Sequence, residues 1–446
     1  MKTRKIFGAL AIGLVPVTSG AAAVDTSLRP LLRPTTEAAS IEIAAAAPAT
    51  VPDQGTRPMS RPETPQIAPV DAATQAGFER WIRDFRTRAA RQGIRESVLD
   101  SAFRHARYDP EVIARDRNQS EFTKTIWDYL DSAASDKRIE NGRTKLAEHR
   151  DILNRIEARY GVDKEVVLAI WGMESAYGAY RGSKPLIGSL ATLAHDGRRG
   201  AFFEKQLIAA LEILQNGDTT PARMTGSWAG AMGHTQFIPT SYLDLAVDFT
   251  SDGRRDIWSD DPTDALASTA AYLARFGWVK GMPWGVEVRL PDGFDYASAN
   301  RQTTRMPSEW ARLGVVDMNG GAVRDYGAAS VLLPAGAEGA AFLIFKNFRV
   351  IERYNAADAY VIGVGHLSDR IKGGAPIQAD WPRGDRALTR AERKELQRLL
   401  TARGFGTGGI DGRIGPNSIK ALRNYQRTAG LAPDGYPSLA VLKKLR

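Results

Sequence analysis

The sequence predicts a mainly α chain of α+β character, with one small β subdomain inside it and a compact helical segment at its C-terminal end. Three observations carry this. Apolar residues recur at helical spacing at Phe78, Trp81, Ile82 and Phe85, and again through Glu96–Phe103 and Lys145–Tyr160. Between Trp284 and Phe348 the texture changes: residues 286–290 alternate and residues 341–345 form a short apolar run, both bounded by Gly and Pro as short strands are. Beyond Leu388, three amphipathic stretches, Thr389–Arg403, Pro416–Ala429 and Pro437–Leu445, are separated by Gly-rich turns.

In chain order, residues 1–23 read as an export leader, because Lys2, Arg4 and Lys5 precede an apolar stretch from Ile6 to Val17 and a run of small residues. A membrane anchor fits less well, since about a dozen apolar residues fall short of the roughly 20 that span a bilayer. Residues 24–70 carry eight prolines among Ala, Thr and Arg and read as a disordered tether. Residues 71–372 form the main body, 373–386 a second linker rich in Gly and Pro, and 387–446 the C-terminal unit.

The chain has 446 residues, 43% of them apolar and 25% charged, which is a globular composition with ample material for a core. It contains no cysteine, which excludes disulfides, thiol nucleophiles, Cys-bound metals and a lipid anchor of the kind bacteria attach to Cys. The net charge of +9 is concentrated: residues 381–446 hold 14 Lys and Arg against 5 Asp and Glu, so the rest of the chain is balanced. A basic unit on a neutral body suits an anionic polymer, whether nucleic acid, membrane surface or carboxylate-bearing cell wall. The five histidines show no metal-ligand spacing, and no phosphate loop or dinucleotide fingerprint is present.

Two stretches could carry chemistry. In residues 160–175, Asp163 is placed to cap a helix that is apolar on nearly every side, and Glu174 falls at its C-terminal end. Burial and the negative end of the helix both disfavour a carboxylate there, so Glu174 is suited to act as a general acid. The alternative is a glutamate that escapes to solvent past the last turn. In residues 226–242, glycines permit close backbone approach while Ser227, Gln236 and Tyr242 offer uncharged hydroxyl and amide groups, as sugar-binding clefts do. Alone, this stretch reads equally well as a packing loop.

Taken together, Trp171-Gly-Met-Glu-Ser175 and the run from Gly226 to Pro239, with Arg198-Arg199 between them and Arg353-Tyr-Asn355 downstream, resemble the membrane-bound lytic transglycosylase B family of peptidoglycan-cleaving enzymes. The resemblance spans about residues 77–370. It implies a lysozyme-like α core with an additional α domain and a small β domain. Carried over by position, it implies Glu174 as the single acid and base. It also implies a glycan cleft lined by Ser227, Gln236, Tyr272, Tyr354, Asn355 and Tyr360, with Tyr129 a looser match, and Arg198 and Arg199 approaching substrate carboxylates. An N-acetyl sugar supplies its own nucleophile, so one protein carboxyl suffices. The chemistry therefore needs no cofactor.

Residues 248–258 begin as an EF-hand loop does, with Asp248, Thr250 and Asp252 at positions 1, 3 and 5, Gly253 at position 6, and the Arg254 carbonyl next. Position 12 is Ser259, but some members of the family close a longer loop with an aspartate, here Asp264. A structural calcium site and a metal-free polar turn both fit. Residues 387–446, with Gly409-Ile-Asp-Gly412 and Ala421-Leu-Arg-Asn-Tyr-Gln426, resemble a three-helix peptidoglycan-binding module.

The expected protein is thus an exported lytic transglycosylase cleaving the MurNAc-GlcNAc bond to leave 1,6-anhydro ends. It is expected in the periplasm, not lipidated, with peptidoglycan strands as its partner and neither nucleic acid nor a stable membrane anchor. A hydrolytic muramidase and a non-catalytic wall-binding protein are the alternatives.

Overall fold

The computed structural model describes residues 70–117 and 125–446; the leader at 1–23 and the tether up to residue 69 lie outside the described residues. The first helix, Ala72–Arg91, starts where the Asp71 carboxylate accepts the Thr74 amide at 2.7 Å, and it ends with Arg88 and Arg91 against the negative helix end. It buries Phe78, Phe85 and Ala89 in the main core. The stretch expected to be helical over 145–160 is divided at His149, where Asp136–Glu148 stops and Arg150–Tyr160 begins. The break lets the His149 ring meet Trp171 edge-on, with centroids 5.5 Å apart.

The next helix, Lys164–Ser175, lies at the centre of the core, with Val166 through Trp171 all essentially inaccessible. Asp163 holds the N-cap position but does not cap it, a correction to the expectation from sequence. Its carboxylate instead accepts the Trp278 indole N–H at 2.8 Å, tying a distant loop to the start of this helix. Helices Leu186–Asp196, Gly200–Asn216, Thr263–Arg275 and Asp358–Lys372 complete the shell around it.

The β subdomain is an antiparallel sheet of β3 (Gly285–Arg289), β4 (Val316–Asp317), β5 (Ser330–Leu332) and β6 (Ala341–Ile344), in the order β4-β3-β6-β5; a separate two-residue pair joins β1 (Lys184–Pro185) to β2 (Thr225–Gly226). The apolar run at 341–345 is explained by burial on both faces. Phe342 and Ile344 enter the main core, while Ala341, Leu343 and Phe345 enter a second core around Trp310.

The C-terminal helices Arg390–Ala402, Pro416–Thr428 and Leu439–Leu445 close on Leu396, Leu400, Leu422 and Leu442. The segment before them runs along the body rather than free of it. The Gln378 and Ala379 amides donate to the Glu287 carboxylate, Arg383 pairs with Asp131, and Trp381 meets Trp127. Asp434 of the module accepts the Ala337 amide at 2.8 Å. No helix of the described residues is long and apolar enough to cross a membrane.

Candidate active site

Lys164–Ser175 ends abruptly. Ala176 and Tyr177 both take left-handed backbone conformations, with φ of 49° and 59°, which costs a non-glycine residue of order 1–3 kcal/mol each. This turn folds the Tyr177 ring back beneath its own helix, where a side chain at Gly172 would overlap it. The Tyr177 hydroxyl donates to the Arg138 carbonyl at 2.9 Å. Glu174 sits in the last turn, 7% exposed, and its Oε1 accepts the Tyr360 hydroxyl at 2.8 Å. Tyr360, itself buried, comes from Asp358–Lys372, the helix packed along this one. Tyr129, from Ile126–Ala133, is a third member of the cluster, its phenol pushed up first by burial and then by the charge of Glu174.

The Gly-rich stretch wraps against the same turn. The Ser227 amide donates to the Ala231 carbonyl at 2.8 Å, while Ser227 Oγ accepts the Ala231 amide at 3.0 Å. Gly233 has φ of 68°, and a Cβ there would collide with the Ile257 carbonyl. Gln236, with φ of 54°, spends both amide hydrogens on the Arg181 and Gly233 carbonyls, at 3.0 and 2.8 Å, so its carbonyl oxygen is what it can offer a ligand. Tyr354 donates to the Thr235 carbonyl and Tyr272 to the Arg353 carbonyl, each at 2.6 Å, with the two rings 4.9 Å apart. Asn355 Oδ1 accepts the Ala357 amide, which leaves its NH2 as the group a sugar could meet. Tyr242, by contrast, is fully buried and donates to the Arg255 carbonyl, as part of the core.

Arg198 and Arg199 lie in a cluster of their own. Both bind the carboxylate of Asp116, which is 2% exposed: Arg198 Nε donates to one oxygen at 2.8 Å and Arg199 to the other. Arg199 also lies over the Phe203 ring, while Arg198 is half exposed. The sequence reading missed Asp116, as well as the half-buried Arg138, whose guanidinium reaches the Met173 sulfur beside Glu174. Neither stands in a motif that would single it out.

In the 248–264 segment, carboxylate oxygens of Asp248, Asp252 and Asp264 lie within 4.8 Å of one another. Thr250 Oγ1 donates to Asp248 at 3.2 Å, and the Arg254 amide is bound to Asp252. Asp264, 2% exposed, accepts the Phe249, Thr250 and Asp256 amides, yet burial still pushes its carboxyl up. Arg255 is turned away onto Asp218, so it does not neutralise the cluster.

Residues 77–369 match the Transglycosylase SLT domain family, and residues 389–445 match a putative peptidoglycan binding domain. The chain belongs to the SLT-domain lytic transglycosylases. Its mainly helical core, small β subdomain and C-terminal module are those of this family. Among solved transglycosylase structures, SltB3 from Pseudomonas aeruginosa is 50% identical, with a TM-score of 0.80 over 83% of this chain and 99% of that one. It has been solved with NAG-NAM-pentapeptide and with NAG-anhNAM-pentapeptide. Slt35 from Escherichia coli, solved with bulgecin A and with calcium, is 28% identical, with a TM-score of 0.57 over 68% of this chain and 94% of that one. Membrane-bound lytic murein transglycosylase B of Escherichia coli is 33% identical over 240 residues, 52% of this chain; the match spans 63% of the relative's length.

Proposed function

We propose that this chain is a lytic transglycosylase that cuts the MurNAc-GlcNAc β-1,4 bond of peptidoglycan without water, with Glu174 as acid and then base. The observation that carries this is the buried Glu174 carboxyl held by Tyr360 at the helix end, in the fold of a relative solved with an anhydro-muramyl ligand. Burial and the helix C-terminus favour the protonated acid at the start. Glu174 gives its proton to the glycosidic oxygen, the C1–O bond breaks, and the GlcNAc leaves as an alcohol. The N-acetyl carbonyl oxygen of the muramyl sugar bonds to C1 in its place. Glu174, now a carboxylate, takes the proton of the 6-hydroxyl, whose oxygen displaces the acetamide at C1 and closes the 1,6-anhydro ring. The acid is regenerated and no cofactor takes part.

Tyr360 orients the carboxyl through both steps, and Ser227, Gln236, Tyr272, Tyr354 and Asn355 form the cleft that presents the sugars. The 389–445 module supplies the wall affinity, and its positive charge suits muramyl and peptide carboxylates. The substrate lies in the periplasm, and the leader at 1–23 is the means of reaching it. Asp248, Asp252 and Asp264 are an all-oxygen donor set that fits calcium, with Asp264 the buried member; a bound ion there would tie the loop to the Thr263–Arg275 helix. Mass spectrometry of the products from peptidoglycan sacculi tests the reading. Muropeptides about 18 Da lighter than hydrolytic ones are expected from the loss of one water. Reducing ends would mean a muramidase, and binding without products a wall-binding protein.

A further inference from the structure

His234 lies in the Gly-rich stretch, 4% exposed, and bonds to the catalytic helix on both sides of Glu174. Its Nδ1 accepts the indole N–H of Trp171 at 3.1 Å, three residues before the acid. Its backbone carbonyl accepts Ser175 Oγ at 2.6 Å, one residue after the acid, and Ser175 Oγ in turn accepts the Gly178 amide at 2.9 Å. An indole N–H can only donate, so Nδ1 is unprotonated, and the ring proton is on Nε2, which donates to the Ser259 carbonyl at 2.8 Å. The tautomer is fixed from both ends.

We propose that His234 is a positioning residue for Glu174: its neutral imidazole, through Trp171, and its carbonyl, through Ser175, set the last turn of the helix that carries the acid. This rests on Glu174 being that acid. A second proton could go only onto Nδ1, where it would face the Trp171 N–H and break the bond. The surroundings oppose that proton. Burial is the main cause that holds the imidazole below its ordinary range, and the Arg181 guanidinium, 3.3 Å from Nε2, adds to it; the Ser259 carbonyl, Asp260 and Asp261 act the other way. Asp260 is itself bound to Arg181. From the Asp136–Glu148 side, His149, Lys145 and Glu148 face the imidazole across a cavity of about 290 Å3, with Lys145 and Glu148 paired to each other.

The test is steady-state kinetics of the full chain on isolated glycan strands, with Glu174→Gln alongside. His234→Gln removes the acceptor facing Trp171, and kcat should fall about ten- to a hundredfold with KM little changed, as slight misplacement of an acid would cause. Trp171→Phe removes the donor and should cost a similar factor. His234→Asn keeps an acceptor near Nδ1 and should recover most of kcat. The wild type is expected to lose kcat on the acid side as Nδ1 takes a proton, and His234→Asn should remove that limb. Wild-type kcat in both His234→Gln and Trp171→Phe, a loss confined to KM, or an unchanged acid limb in His234→Asn would each overturn the proposal. If His234→Gln does not fold, Trp171→Phe and the His234→Asn pH profile still decide it. An active Glu174→Gln would instead overturn the assignment of the acid.

Discussion

Glu174 and Asp264 are equally sequestered carboxyls, 7% and 2% exposed, yet they sit at opposite ends of helices. Glu174 is in the last turn of Lys164–Ser175, where the helix end carries partial negative charge; Asp264 is in the first turn of Thr263–Arg275, where it is positive. Their donors differ in kind. Glu174 is met by the Tyr360 hydroxyl, a group that can also accept, whereas Asp264 takes three backbone amides that can only donate. Burial alone therefore does not make the two carboxyls alike. The helix end and the amides separate them: the C-terminal helix end disfavours charge on Glu174, whereas at Asp264 three amides work against the burial that raises its carboxyl.

The sharpest way to break this contrast is to make Glu174 neutral for good. Glu174→Gln keeps the shape and should lower kcat by about 10²- to 10⁴-fold, the range general acid–base catalysis contributes, while glycan binding persists in pull-down with sacculi. Tyr360→Phe tests the donor. A hydrogen bond to a charged group contributes about 1.5–3 kcal/mol, so kcat should fall about ten- to a hundredfold if the phenol orients the acid in the rate-limiting step. An unchanged kcat would mean that packing alone positions Glu174.

Much of this contrast was legible in the sequence and part of it was not. The apolar run from Val166 to Met173 gave away a buried helix, because burial follows from side-chain pattern, but it left open whether the glutamate at its end turned inward or to solvent. The strands at 285–289 and 341–344 were legible for the same reason. What pattern does not encode is which distant side chain answers a polar group. Asp163 had the spacing of a cap but was drawn to Trp278, 115 residues away. Asp116 binds Arg198 and Arg199 across about 80 residues, and His234 meets Trp171 across 63. The break at His149 has the same origin, since a ring contact with Trp171 competes with the helical continuation that local propensity favours.

The smallest expected effect concerns the other side of the comparison. Without metal, burial raises the Asp264 carboxyl above its ordinary value, and the neighbouring Asp248 charge adds to this against the three amides. A raised folded value means that the folded chain binds this proton more readily than the unfolded chain. Its contribution to stability is therefore present below the unfolded value and is lost as pH rises through the folded one. Calcium at 100 times its Kd would add about 2.7 kcal/mol to stability, a rise of a few degrees in Tm for a chain of this size. Scanning calorimetry at pH 7 with calcium and with a chelator should show that shift in the wild type. Asp264→Asn should abolish it, because it removes the buried member of the three-carboxylate set. A calcium-dependent kcat that survives in Asp264→Asn would place the ion elsewhere; equal Tm with and without calcium would make the three aspartates a polar turn held by amides alone.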